Sequence, residues 1–174
     1  MNLYAAAERL MGMNDAVWAR HANPWSVWTR FSCLPLIVLA VWWRSWGLLA
    51  LVLAWTWVNP RAFPAPAHFD HWASRAVLGE RLFLSGADIP RHHLLATRIL
   101  SALSAVGLIP LCWGLYTLDP VSTVLGTLLA VMPKVWFCDR MVWILADLTG
   151  NRPGMALPGP QLPPLPPSDT GATR

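Results

Sequence analysis

The chain has 174 residues, of which 55% are hydrophobic and 13% are charged, and its formal net charge is +4 at pH 7. Soluble domains carry about 25% charged residues, so this composition excludes an ordinary soluble domain and predicts one all-α, polytopic membrane domain. The positive charge comes without a base-stacking motif or a basic run. We therefore expect it to attract anionic lipid headgroups and not nucleic acid.

Residues 1–22 predict an amphipathic helix that lies in the membrane interface. They do not form a secretory signal, because charged side chains interrupt every apolar stretch in this segment. The candidate apolar contacts with the bilayer are Leu3, Leu10, Val17 and Trp18. A frayed terminus is the alternative.

Residues 23–148 form the predicted membrane domain, which contains four strongly apolar segments paired into two hairpins. Crossings are expected at about residues 25–43, 46–58, 98–118 and 121–137. A single tilted helix over residues 31–58 is the alternative to the first hairpin. That helix would bury Arg44 in the middle of the bilayer, which is costly, so the hairpin is favoured.

The predicted helix ends carry clear local signals. Asn23 and Asp119 each precede a proline, which is the pattern of a capping residue followed by a first helical residue. Asn59 also precedes a proline, but it does so at the end of an apolar run, and it predicts the end of the second crossing.

The basic residues sort to one side of these four crossings. Among the 13 Lys and Arg residues, only Arg44 falls in a loop on the opposite side. Short loops rich in Lys and Arg stay cytoplasmic, so both termini are predicted to be cytoplasmic.

Two further segments have no predicted crossing. Residues 71–84 predict an amphipathic interfacial helix that is capped by Asp70 and closed by Gly86. Residues 149–174 contain seven prolines and predict a disordered tail. A P-x-x-P spacing occurs in this tail, where chance explains it.

The chain has no motif of an established enzyme chemistry, and its three cysteines are scattered and fit structural thiols. His68, Asp70 and His71 have donor atoms for a transition metal, but their spacing does not bring them to one helix face. The adjacent His92 and His93 are typical of a solvated loop. We therefore predict no metal site and no cofactor.

Ionisable groups near the predicted membrane surface are better functional candidates, since such groups are rare there without a role. Glu80 falls on the apolar side of its helix and needs a cation, for which Arg140, just past the fourth predicted crossing, is the best candidate. Lys134 and Arg30 reach the same level of the membrane, where snorkelling to the headgroups is the alternative explanation.

Four blocks of sequence occur in an order that resembles a known family. They are residues 21–30 (HANPWSVWTR), 59–64 (NPRAFP), 77–81 (VLGER) and 134–143 (KVWFCDRMVW). Together they resemble the signature blocks of an uncharacterised domain-of-unknown-function family of small integral membrane proteins from bacteria and archaea. The resemblance covers about residues 14–148. It implies a multi-helix domain in a prokaryotic cell membrane and implies no assigned activity.

All four blocks fall at the predicted cytoplasmic ends of the crossings. Their polar and aromatic residues form a candidate cluster of His21, Asn23, Trp28, Arg30, Asn59, Arg61, Glu80, Arg81, Lys134, Asp139 and Arg140. Anchoring alone needs only apolar helices and basic loops, so this cluster indicates a structural or ligand-binding role.

The leading hypothesis is a non-enzymatic membrane protein whose cluster binds anionic lipid headgroups or a membrane-protein partner. The alternative is a membrane-embedded enzyme or small carrier for an anionic substrate. In that case Glu80, Asp139 or a histidine would accept a proton, and an arginine would hold the substrate. A permease built from two related hairpins is a third hypothesis.

Overall fold

The structure is a computed structural model, and it describes residues 13–85 and 87–150. All regular structure in these residues is α-helical, as expected where backbone polar groups must be paired within each segment. The described helices are α1 (Asp15–His21), α2 (Pro24–Phe31), α3 (Cys33–Trp42), α4 (Trp46–Ala62), α5 (Trp72–Leu84), α6 (Arg91–Thr117) and α7 (Pro120–Thr149). Most of the predicted tail and the first 12 residues of the N-terminal segment lie outside the described residues.

Three helical segments are long and apolar enough to cross a membrane, namely α6, α7 and the pair α2–α3 over Pro24–Trp42. The second predicted crossing, α4, has 17 residues and is shorter than these. Large apolar side chains on the long helices point outward, and Ile109 and Val121 are 69% and 72% exposed. Extended apolar surface of this kind is typical of membrane contact.

The predicted start signals of α2 and α7 are confirmed. Asn23 and Asp119 cap these helices, and each side chain accepts hydrogen bonds from backbone N–H groups of the first turn. For α5 the predicted cap is wrong by one residue, because His71 and not Asp70 accepts the capping hydrogen bond. Gly86, the predicted end signal, lies outside the described residues.

The first hairpin is confirmed as a fold, and the single helix over residues 31–58 is wrong. α3 and α4 are separated by a turn at Arg44, whose backbone adopts φ +53°. The predicted stop at Asn59 is also wrong, because α4 continues through Pro60 to Ala62. A proline in the last turn removes only one hydrogen bond near a helix end, and Asn59 is held in place by its buried side chain.

The α6–α7 hairpin is closely packed through glycines. A Cβ atom on Gly126 would overlap the backbone nitrogen of Leu111, and one on Gly114 would overlap that of Thr123. Small residues let membrane helices approach until their backbones touch. α5 lies against α7 in the same way, since a Cβ on Gly79 would overlap the carbonyl oxygen of Met141.

The main hydrophobic core lies at one end of the long helices, where α1, α5 and the end of α7 meet around Trp18, Leu78 and Leu145. Val17 and Trp18 are 8% and 5% exposed, so their predicted contact with the bilayer is wrong, while Leu3 and Leu10 lie outside the described residues. α5 is buried over most of its surface. It is therefore a core helix, and its position in a membrane interface stays a prediction.

Candidate ligand-binding cavity

A chain of buried and partly buried hydrogen bonds links α1, α2 and α4. Arg30 Nη1 lies 2.8 Å from His21 Nε2 and can only donate, so the ring proton of His21 belongs on Nδ1. His21 Nδ1 lies 3.1 Å from Ser26 Oγ, and Ser26 donates to Asn59 Oδ1 at 2.8 Å. Asn59 Nδ2 donates to Thr29 Oγ1 at 2.8 Å. Each residue thus donates to the next one in the order Arg30, His21, Ser26, Asn59 and Thr29. We call this chain of five residues the Arg30 relay.

The electrostatics of His21 agree with this direction. Burial, helped by the positive charge of Arg30, lowers the pKa of His21 from 6.5 to about 3. The imidazole is therefore neutral at physiological pH. A neutral ring accepts from Arg30 without cancelling its charge, so the relay holds the guanidinium in place and leaves it cationic.

Arg30 faces a cavity of about 270 Å³ between the first helices and the α5–α7 group. Glu80 and Lys134 line the same cavity, and its remaining walls are mainly apolar, with Leu34, Val77, Leu108 and Val131 among them. Arg30 and Glu80 are half-buried and Lys134 is exposed. Two cationic side chains and one carboxylate thus line a cavity whose other walls are mainly apolar.

A second cavity of about 290 Å³ adjoins the first, and Glu80 and Lys134 line both of them. The ammonium nitrogen of Lys134 lies 4.4 Å from the ring centroid of Phe137, a cation–π geometry. Arg30, Glu80 and Lys134 form no ion pair within the part of the chain that the structure describes. Their charges are therefore available to a ligand.

Other residues of the predicted cluster lie apart from this cavity. Trp28 stacks on Trp72 with ring centroids 5.8 Å apart, and the indole N–H of Trp72 donates to Asp139 at 3.0 Å. Asn23 donates to the carbonyl of Pro64 at 3.0 Å and fixes the chain that leaves α4. These contacts join α2, α5 and α7 and support the cavity from outside.

The arginines of the cluster are dispersed. Arg81 forms an ion pair with Asp15 of α1 at 2.8 Å, and Arg61 is exposed in the last turn of α4. Arg140 has a buried Nε atom that finds no hydrogen-bond partner in the described residues.

The predicted ion pair of Glu80 with Arg140 is wrong. The contact of Gly79 with Met141 fixes how α5 meets α7 and turns the neighbouring Glu80 toward Cys138, which lines the cavity. An α-helix has about 3.6 residues per turn, so Arg140 lies about 200° around the axis of α7 from Cys138 and is on nearly the opposite face of the helix. Glu80 therefore faces Lys134 and Arg30 across the cavity.

Three polar residues of the site were not predicted. Ser26 links His21 to Asn59, and Thr29 accepts a hydrogen bond from Asn59 at the end of the relay. The hydroxyl of Ser104 donates to the carbonyl of Ala130 at 2.7 Å beside the cavity. The available signal was the i, i+3 spacing of Ser26 and Thr29, which puts both on one helix face. A serine inside an apolar run, as at position 104, is a similar signal.

A family model described as a family of unknown function (DUF6653) matches residues 4–160. The match extends beyond the residues 14–148 of the resemblance, into the N-terminal segment and the first part of the proline-rich tail. Comparisons with curated proteins and with solved structures find no match. The family model covers most of the chain, and the chain belongs to this family, DUF6653.

Proposed function

We propose that this protein is a non-enzymatic, four-crossing membrane protein that binds an anionic lipid headgroup in the cavity between Arg30 and Lys134. Both termini and the cavity would face the cytoplasm of a prokaryotic cell. The observation that carries the proposal is that two cations and one carboxylate line one apolar-walled cavity.

The crossing that this proposal adds to the three long helical segments is α4. At 1.5 Å per residue its 17 residues extend for about 25 Å, somewhat less than a bilayer core of about 30 Å. Leu51 and Leu53 are exposed on its surface, and Trp57 near its end is suited to the headgroup level. The one-sided distribution of basic residues supports cytoplasmic termini.

The choice of an anionic ligand follows from charge and from the relay. Arg30 and Lys134 together outnumber Glu80, so the formal charge of the residues that line the cavity is positive. Arg can grip a phosphate with two parallel hydrogen bonds, and the relay fixes its side chain in advance. The apolar walls suit the first methylene groups of lipid chains.

The groove between α3 and the start of α7 supports binding of a ligand and not permeation of a charged solute. The groove between α3 and the start of α7 is lined by apolar residues with two threonines, Thr123 and Thr127, and by no ionisable side chain. A charged solute would meet no charged partner in this groove. This supports a ligand held at one end of the bundle.

Retention of lipid tests the proposal. The full chain is reconstituted in nanodiscs of phosphatidylcholine with and without phosphatidylglycerol, released into detergent, and its retained lipid is identified by native mass spectrometry. We expect retained phosphatidylglycerol, strong loss of it in Arg30→Gln and Lys134→Gln, and no loss in Arg98→Gln, which alters an exposed arginine outside the cavity. Equal retention in all four proteins would refute the proposal, and competition by inorganic phosphate would indicate a soluble anion instead.

The alternative is an enzyme or carrier that acts on an anionic substrate in the same cavity. It is supported by Glu80, which adjoins both cavities without an ion pair among the described residues and is thus a candidate proton acceptor. Chemical change of the bound lipid on incubation, abolished in Glu80→Gln with lipid retention intact, would favour this alternative.

A further inference from the structure

A second constellation of side chains lies where α6 begins and α7 ends. His92 and His93 belong to the first turn of α6, and Asp147 to the last turn of α7. One potential metal-ligating atom from each of these residues lies within 4.8 Å of those from the other two. None of the three residues lines the cavity, so this constellation is independent of the proposed lipid site.

The distances suit a small divalent ion. His93 Nε2 and His92 Nε2 lie 2.9 Å and 3.9 Å from the same Asp147 oxygen, Oδ2. In a tetrahedral site with metal–ligand bonds of about 2.0–2.1 Å, neighbouring ligand atoms are roughly 3.3 Å apart. The observed distances fall on either side of this value, and side-chain shifts of about half an ångström would equalise them.

The donor set also determines the class of metal. Two imidazoles and one carboxylate suit zinc and the neighbouring transition metals, whereas magnesium and calcium prefer all-oxygen sites. We propose that His92, His93 and Asp147 bind a divalent transition-metal ion such as Zn²⁺, with the remaining coordination position left to water.

Metal binding needs an unprotonated ring nitrogen on each histidine. His93 is 1% exposed, and its Nδ1 has no hydrogen-bond partner in the described residues. Metal binding at Nε2 requires the ring proton on Nδ1 and replaces the hydrogen bond between Nε2 and Asp147.

Zinc binding by the untagged full chain in detergent tests this site. The protein is stripped with a chelator, zinc chloride alone is added, and bound zinc is measured by elemental mass spectrometry after gel filtration. We expect about one zinc ion per chain, a higher melting temperature on zinc addition, and no displacement by excess Mg²⁺.

The variants are chosen to fold normally. His92 is exposed, so His92→Ala should fold and should lose most of the bound zinc, and Asp147→Asn should do the same. His68→Ala is the matched control, since His68 is also exposed and lies outside the constellation, and it should keep its zinc. Absence of zinc binding, equal binding by His92→Ala and the unaltered chain, or displacement of zinc by Mg²⁺ would each overturn the proposal.

Discussion

The buried His21 predicts how stability depends on pH. The pKa of His21 is about 3 in the folded protein and 6.5 for the free side chain. Between these two pH values the unfolded chain binds a proton at this residue and the folded chain does not. The stability that this site contributes is complete above pH 6.5 and is lost as the pH falls from 6.5 toward 3. Between pH 7 and pH 5 the loss amounts to about 2 kcal/mol.

The matched variant is His21→Gln, whose amide can accept from Arg30 and donate to Ser26 without titrating in this range. Unfolding free energies of both proteins are measured by denaturant titration in one detergent at pH 7 and pH 5. All other titrating groups are shared, so the stability difference should move by about 2 kcal/mol in favour of the variant at pH 5. A difference that stays constant between the two pH values would refute the buried neutral imidazole and, with it, the direction of the Arg30 relay.

Three further predictions concern the relay, the helix packing and the topology. Ser26→Ala and Asn59→Ala should each destabilise the fold, and a double-mutant cycle should give a coupling energy of about 1–2 kcal/mol, because a buried hydrogen bond joins them. Gly79→Ala should cost about 3 kcal/mol or more, measured by denaturant titration, because its Cβ would overlap a backbone carbonyl. In whole cells, a cysteine replacing Arg44 should react with an impermeant thiol reagent, whereas one replacing Arg91 should react only after permeabilisation.

Each of these three predictions has either a control variant or a result that would contradict it. For the packing prediction it is Gly47→Ala, since a Cβ at Gly47 meets nothing within 4 Å and should not destabilise the protein. Additive single effects of Ser26→Ala and Asn59→Ala would contradict the relay. Labelling at position 91 in unpermeabilised cells would contradict cytoplasmic termini.

The parts of the fold that the sequence predicted correctly are those with local causes. Asn23 and Asp119 cap their helices through contacts that span two or three residues, and Arg44 lies in the turn between α3 and α4, where the hairpin was predicted to have its loop. The end of α4 was predicted wrongly at Pro60, because the residue before a proline usually leaves the helical conformation. Here the side chain of that residue, Asn59, is fixed in the helix by partners about 30 residues away.

The site was only partly predictable because rotation of a helix about its axis is a tertiary property. Composition placed Glu80 on the apolar side of α5 but could not tell which residue of α7 it faces. That is decided by Gly79, whose missing side chain lets α5 rest on the Met141 backbone. The predicted cluster contained Arg30, Lys134 and Glu80, but the sequence did not distinguish them from the other members as residues that line one cavity.

The position of the cavity between two packing units has a consequence for stability. Arg30 comes from the first hairpin and Lys134 from the second, while α3 packs mainly on α4 and touches α6 and α7 sparsely. An anion bound by both cations would therefore add a link between α2 and α7 beside a region where α3 makes few contacts with α6 and α7. A ligand that binds only the folded state raises its stability by mass action, by about 2.7 kcal/mol at 100 times its dissociation constant. Anionic lipid should accordingly raise the melting temperature of the unaltered protein in detergent much more than that of Lys134→Gln, and an equal rise in both would mean that the lipid acts elsewhere.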